Sequence, residues 1–244
     1  MHDDPGALRV RRLGREDYLP VWRRMQAFNQ GRDGATADAL WQVEHPPVFT
    51  LGLNGRREHL LDPGGIPVVE VDRGGQVTYH GPGQVVLYLL LDLRRQGLGV
   101  RALVTALEGA VIDYLAGLGI AAKARADAPG VYVDEAKIAA LGLRVRRGGS
   151  YHGLAFNLDP DLSAFERINP CGHRGLATTS LRALKGDAPP WSEVADALTR
   201  CLAARLGRTL AWEEGRTRDW IVTGIPASAG AGDPGSRGPG GGRD

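Results

Sequence analysis

Residues 84–93 read Gln-Val-Val-Leu-Tyr-Leu-Leu-Leu-Asp-Leu, and from 85 to 91 the run has no break in apolar character. It is far too short to cross a bilayer as a helix and has the length of a strand. A strand with no polar alternation is one that is buried on both faces. The chain must therefore cover this strand from two sides.

The covering elements can be read on either side of it. Val100, Leu103, Val104, Leu107, Val111, Tyr114, Leu115 and Leu118 follow a helical period that ends at Gly117 and Gly119. Residues 191–206 form a second long amphipathic pattern. Residues 16–30 form a third, with Tyr18, Val21, Trp22, Met25 and Phe28 inward. Short strand patterns occupy 41–43, 48–51, 66–71, 120–125, 130–133, 137–146, 150–158 and 210–212. Residues 7–13 alternate apolar with basic side chains, as an edge strand does. This mixture indicates an α/β or α+β single domain over residues 7–225. Residues 1–6 read as a flexible start. Residues 226–244 hold 7 Gly and 3 Pro with no large apolar side chain, a composition expected to be disordered.

Charge and cysteine content exclude several classes. In 244 residues there are 30 Lys and Arg against 28 Asp and Glu, too even a balance for a general nucleic-acid binder. Cys171 and Cys201 are the only cysteines, which argues against a disulfide scaffold or a multi-cysteine zinc protein. The opening MHDDPGALRVRR has no apolar core of a signal peptide. A reducing cytoplasm is the expected compartment, and there Cys171 stays a thiol. Only Lys123, Lys137 and Lys185 are lysines, so each is worth separate attention.

Four segments carry candidate chemistry. Arg73-Gly-Gly-Gln-Val-Thr-Tyr-His-Gly-Pro-Gly-Gln84 has four glycines in 12 residues and is dense in hydrogen-bonding side chains. It reads either as a glycine-turned hairpin or as a loop that lets backbone approach a ligand. It matches neither a P-loop nor a dinucleotide fingerprint. Lys137 opens an otherwise apolar strand; it is a snorkelling lysine or, unlike an arginine, a group that can give up a proton.

In Ser150-Tyr-His-Gly-Leu-Ala-Phe-Asn157, alternation places His152, Leu154 and Phe156 on one face and Tyr151, Gly153, Ala155 and Asn157 on the other. His152 fits a structural or a catalytic role. Cys171 sits between Pro170 and Gly172 on a turn, open to attack, whereas Cys201 lies in an apolar helical stretch. Cys171 is thus the candidate nucleophile and Cys201 the core residue. A metal at Cys171 and His173 lacks further ligands at usual spacing.

Together these segments, with Glu44-His-Pro-Pro-Val-Phe-Thr-Leu-Gly52 and Asn169-Pro-Cys-Gly172, resemble the signature blocks of the lipoyl(octanoyl) transferase family over about residues 7 to 215. The resemblance implies a mixed sheet flanked by helices, like the catalytic domains of biotin and lipoate protein ligases. It implies transfer of an octanoyl (or lipoyl) group from acyl carrier protein to a lysine of lipoyl domains, the first step of endogenous protein lipoylation. The acceptors would be the E2 subunits of 2-oxoacid dehydrogenases and the glycine cleavage H protein.

Carried over by position, Cys171 would hold the acyl thioester and Lys137 would lower the pKa of its thiol. Arg73, Gly74, Gly75, Gln76, Val77, Thr78, Tyr79, His80, Ala140, Leu141, Gly142, Gly153, Leu154 and Ala155 would line the acyl pocket, with His152 and Asn157 in support. No cofactor, ATP, metal, nucleic acid or membrane is expected to take part. Arg144, Arg146 and Arg147 would either dock acidic carrier domains or form a solvated charged face. An ATP-dependent ligase on the same fold, a cysteine hydrolase and a carrier-binding module are the alternative readings.

Overall fold

A computed structural model describes residues 6–170 and 175–213. Cys171, Gly172, His173 and the tail 226–244 lie outside the described residues, and so do the expectations placed on them.

In chain order the elements are β1 (Leu8–Arg15), α1 (Tyr18–Gln30), β2 (Ala39–Glu44), β3 (Val48–Leu51), β4 (Val68–Glu70), β5 (Val77–His80), β6 (Gln84–Leu90) and α2 (Val100–Gly117). There follow β7 (Lys123–Ala124), β8 (Gly130–Val133), β9 (Ala136–Arg146), β10 (Gly149–Asn157), α3 (Ser163–Glu166), α4 (Leu181–Lys185), α5 (Trp191–Leu206) and β11 (Leu210–Glu213). Eight strands form one sheet in the order β11-β1-β2-β6-β10-β9-β8-β7, and three form a second in the order β4-β3-β5. Both are mixed: β1 runs parallel to β11 and β2, and β3 parallel to β4, while the remaining pairs are antiparallel.

The apolar run of residues 85–91 begins in β6, every residue of which is buried. Val85, Leu87 and Leu89 pack on one face with Leu103, Leu107 and Val111 of α2 and Val194, Leu198 and Leu202 of α5. Val86, Tyr88 and Leu90 pack on the other with Val21 and Met25 of α1. Burying each such aliphatic side chain stabilises the fold by about 1.5–3 kcal/mol. The strand is covered on both faces, as its composition requires.

Some boundaries differ from the sequence reading. β1 is not an edge strand, because β11 lies outside it and Glu213 pairs with Arg9 and Arg11. Its basic residues are thus neutralised by a partner far away in sequence. The strand expected over 120–125 is reduced to β7, and that over 66–71 to β4. β5 lies inside the Gly-rich segment. α4 carries a cap signal, since Ser180 Oγ accepts the Ala183 N–H at 3.1 Å and Gly186 takes φ 76° just past the end. Cys201 is only partly buried at the margin of the α2–α5 core. Among the described residues no helix is long and apolar enough to cross a membrane.

Candidate active site

A cleft of about 730 Å³, open mouth included, lies between β5 and the face of the large sheet formed by β6, β10 and β9. Strand register explains its shape. Val86, Ala155 and Ala140 stand side by side across three strands, and the next row of the same face holds Tyr88, Gly153 and Gly142. Directly opposed residues share a face. The small residues Ala140, Gly142, Gly153 and Ala155 therefore leave a shallow apolar slot between Tyr88 and the far edge of β9. A Cβ at Gly142 would stand 2.9 Å from Arg73 Cδ, and one at Gly153 would run into the Leu87 carbonyl. The glycines in this floor are thus required by close packing.

Arg73 closes one side. It is 7% exposed, and its Nη2 donates to the Thr50 carbonyl at 2.7 Å and to Thr50 Oγ1 at 2.8 Å. Nη1 donates to the Gly74 carbonyl at 3.0 Å, and the Gly74 N–H donates to the Leu143 carbonyl at 2.9 Å. The Gly-rich turn is thereby tied to β3 and to β9. Gly75, at φ 89°, takes a left-handed conformation that favours glycine.

Lys137 lies at the start of β9 and lines the cleft while being only 3% exposed. Its Nζ donates to the Pro129 carbonyl at 3.1 Å and lies 5.2 Å from the centre of the Tyr132 ring. It is not a snorkelling lysine. Its backbone is gripped by a neighbouring segment: its N–H donates to the Ala177 carbonyl at 2.8 Å, and the Thr179 N–H donates to its carbonyl at 3.0 Å. Pro170 and Thr178 also line the cleft, so both flanks of residues 171–174 reach it.

A buried polar chain runs beneath the slot. Gln84 Nε2 donates to Asn157 Oδ1 at 2.9 Å, and Asn157 Nδ2 donates to the Thr179 carbonyl at 3.0 Å. His80 Nδ1 lies 3.3 Å from Gln84 Oε1, and its ring stacks on Tyr18 with centroids 5.5 Å apart. His45 Nε2 meets the Tyr88 hydroxyl at 2.8 Å. Burial lowers the pKa of His45 to about 4 and that of His80 well below the usual imidazole value. These rings are neutral at pH 7.

His152 departs from the expected alternation. Its φ of 62° swings the ring away from the face of Leu154 and Phe156. The ring stacks against Tyr151 with centroids 5.1 Å apart, and Nε2 meets Asp72 Oδ1 at 3.1 Å. Asp72 also accepts from Trp22 Nε1 at 2.8 Å, Gln26 Nε2 at 3.2 Å and the Tyr151 hydroxyl. Burial works to raise the Asp72 pKa, but these hydrogen bonds outweigh it and hold the carboxyl well below the carboxylate range. Burial likewise keeps His152 below the usual imidazole value, against the pull of Asp72.

Most sequence-predicted residues meet in this one cleft: Arg73, Gly75, Gln76, Val77, Thr78 and His80 from the first segment, then Lys137 with Ala140, Leu141 and Gly142, then His152 to Ala155 and Asn157. Two do not reach it. Tyr79 turns to the opposite face of β5, against Phe49 and Phe165, and Gly74 is spent on its bond to Leu143. Tyr18, Tyr88 and Asp72 were not among the expected site residues. Tyr88 had a visible signal, as the one hydroxyl in an apolar strand. Among the described residues no group of acidic, histidine and cysteine side chains is placed to hold a metal ion.

Comparison with known proteins gives the same picture. The family model for the lipoyl protein ligase A/B catalytic domain matches residues 17–203. A protein of Chromohalobacter salexigens named octanoyltransferase is 61% identical over 203 residues, covering 83% of this chain and 92% of its own. One of Methylococcus capsulatus with the same name is 63% identical over 201 residues, covering 82% of this chain and 97% of its own. Among solved structures, lipoate-protein ligase A bound with ATP aligns with a TM-score of 0.71 over 87% of this chain and 91% of its own, at 16% identity, a likeness of fold. By the extent of the family match and the identity to its members, the chain belongs to the octanoyltransferases, acyltransferases built on the lipoyl protein ligase A/B catalytic domain.

Proposed function

We propose that this protein moves an octanoyl (or lipoyl) group from the phosphopantetheine thioester of acyl carrier protein to a lysine of a lipoyl domain, through a thioester on Cys171. The observation that carries the reading is the placement of Lys137. A nearly buried lysine stands in the wall of an apolar slot, and Pro170, the residue before Cys171, lines the same cleft.

The chemistry follows from those groups. A free cysteine titrates near pH ~8.5, so at neutrality little of it is thiolate. Lys137 takes the Cys171 proton as the sulfur attacks the acyl carbonyl carbon. The C–S bond to phosphopantetheine breaks, and its sulfur leaves with the proton that Lys137 returns. The acceptor lysine amine then attacks the Cys171 thioester and gives a proton to Lys137. An amide forms, and Cys171 departs and is reprotonated. Thioester to thioester is near neutral and thioester to amide is downhill, so the second step drives the sequence.

The donor already carries an activated acyl group, so neither ATP nor a metal is required. The floor of Ala140, Ala155, Gly142 and Gly153 holds the alkyl chain, at roughly 0.8 kcal/mol per buried methylene. Arg73 ties the Gly-rich wall to β3, and Asp72 fixes the His152 ring in the cleft wall. The E2 subunits of 2-oxoacid dehydrogenases and the glycine cleavage H protein are the proposed acceptors.

The test is octanoyl transfer from octanoyl-carrier protein to an apo-lipoyl domain with ATP omitted, read by the mass of the acceptor. Transfer by the wild type and its loss in Cys171→Ala are expected. An absolute need for ATP, with pyrophosphate released, would overturn the reading.

A further inference from the structure

The Ala128–Gly130 turn lies beside the cleft and is held at both ends. The Tyr132 hydroxyl donates to the Ala128 carbonyl at 2.7 Å. The Gly130 N–H donates to Glu108 Oε1 at 3.1 Å, across from α2. Between these two bonds the Pro129 carbonyl faces Lys137 and accepts from its Nζ at 3.1 Å. Gly130 itself has φ 146°, and a Cβ there would stand 2.7 Å from the Ala139 carbonyl and 2.9 Å from Lys137 Cε. No other residue type fits so close to the lysine stem.

Glu108 is the unexpected member. It occupies a half-buried position on α2 next to Leu107, which lies in the core. Burial raises its pKa, and the Gly130 N–H and Lys137 act against that rise. A half-desolvated carboxyl is costly unless it is hydrogen-bonded, and the bond it makes is to the turn that holds the lysine.

We infer that Glu108, outside the cleft, is a positioning residue for Lys137: by accepting the Gly130 N–H it fixes the turn whose Pro129 carbonyl holds the lysine Nζ in place. This rests on the proposed role of Lys137 in serving Cys171. Its consequence is selective. Loosening the turn moves Lys137 Nζ from its place in the cleft wall, while the Gly142 and Gly153 part of the floor, with which Gly130 does not pair, keeps its register. Small displacements of a reacting group are enough to slow chemistry severalfold or more.

The experiment compares Glu108→Leu, Glu108→Gln, Glu108→Asp and Lys137→Ala with wild type, using octanoyl-carrier protein and apo-lipoyl domain, with thermal melting alongside. Glu108→Leu is expected to lower kcat by about tenfold with both KM values within about twofold. Glu108→Gln keeps an oxygen at the same reach and is expected to restore kcat to within about threefold of wild type. Glu108→Asp keeps the charge but is one methylene short and is expected to be impaired like Leu. If Glu108→Leu does not fold, the contrast between Gln and Asp decides. Wild-type kcat in Glu108→Leu and Glu108→Asp, with only the melting temperature lowered, would overturn the inference and leave Glu108 a tie between α2 and β8. Lys137→Ala separates the two levels. If it is inactive while the Glu108 variants are normal, this inference alone fails; if it keeps wild-type kcat, the role of Lys137 fails and the inference with it.

Discussion

His152 and Asp72 meet at 3.1 Å because His152 takes a left-handed backbone in the middle of a strand. For a residue with a Cβ that conformation costs roughly 1–2 kcal/mol. The hydrogen bond to Asp72 and the stacking on Tyr151 hold the ring there, at the wall of the cleft. Asp72 thus gathers α1, β10 and the start of the Gly-rich segment around one carboxylate.

One part of the pH dependence of stability follows from that carboxylate. Its pKa is depressed in the folded state, so its stabilising contribution is complete above the unfolded value near ~3.9 and is lost as pH falls through the folded value. Denaturant midpoints at pH 6 and pH 3 check this. Wild type should lose stability between them, and Asp72→Asn, already weaker at pH 6, should lose less over the same interval.

On the proposed reading, the floor of small residues sets the acyl-length preference. Ala155 is 4% exposed and stands beside Ala140 in the slot floor, so Ala155→Val adds bulk at the proposed alkyl site. Octanoyl transfer should fall by about tenfold, the worth of roughly two methylenes of burial, while a hexanoyl donor is affected less. Competition between hexanoyl- and octanoyl-carrier protein in one reaction measures the ratio.

Arg73 is a clamp that lysine cannot replace. Its guanidinium reaches Thr50 twice and Gly74 once, a planar fork that an ammonium does not reproduce. Arg73→Lys should destabilise the fold by about 1.5–3 kcal/mol and raise the KM for octanoyl-carrier protein. Chemical denaturation and steady-state kinetics on the same preparation check both.

The arginines at the far end of β9 form either a docking face or a solvated charged face, and charge reversal separates the two. Arg146 and Arg147 are exposed there, while Arg144 stands opposite Tyr151 on β10. Reversing the charge at 146 and 147 should raise the KM for the acidic carrier protein severalfold at low salt, with kcat unchanged and the effect fading as salt rises. An unchanged KM at low salt would mark these arginines as a solvated face.

Much of this was legible in the residues. The unbroken apolar run required a strand covered on both sides, and β6 is one. Residues 140, 142, 153 and 155 were assigned to the pocket only through the family resemblance; their meeting side by side comes from the antiparallel register of β9 and β10. His152 was misplaced since alternation assumes extended backbone throughout, and a single left-handed residue reverses it. β1 looked like an edge because the acid that neutralises Arg9 and Arg11 is Glu213, about two hundred residues away. Glu108 and Asp72 were invisible for the same reason: each acts through a partner distant in sequence, and neither belongs to a periodic pattern.

The central claim is a covalent acyl group on Cys171, and intact-protein mass after mixing with octanoyl-carrier protein, ATP omitted, tests it most directly. The expected result is a single octanoyl adduct that hydroxylamine removes, that maps to Cys171, and that an apo-lipoyl domain discharges into an amide. Lipoyl-domain octanoylation that proceeds at the wild-type rate in Cys171→Ala, with no adduct at any time, would contradict it.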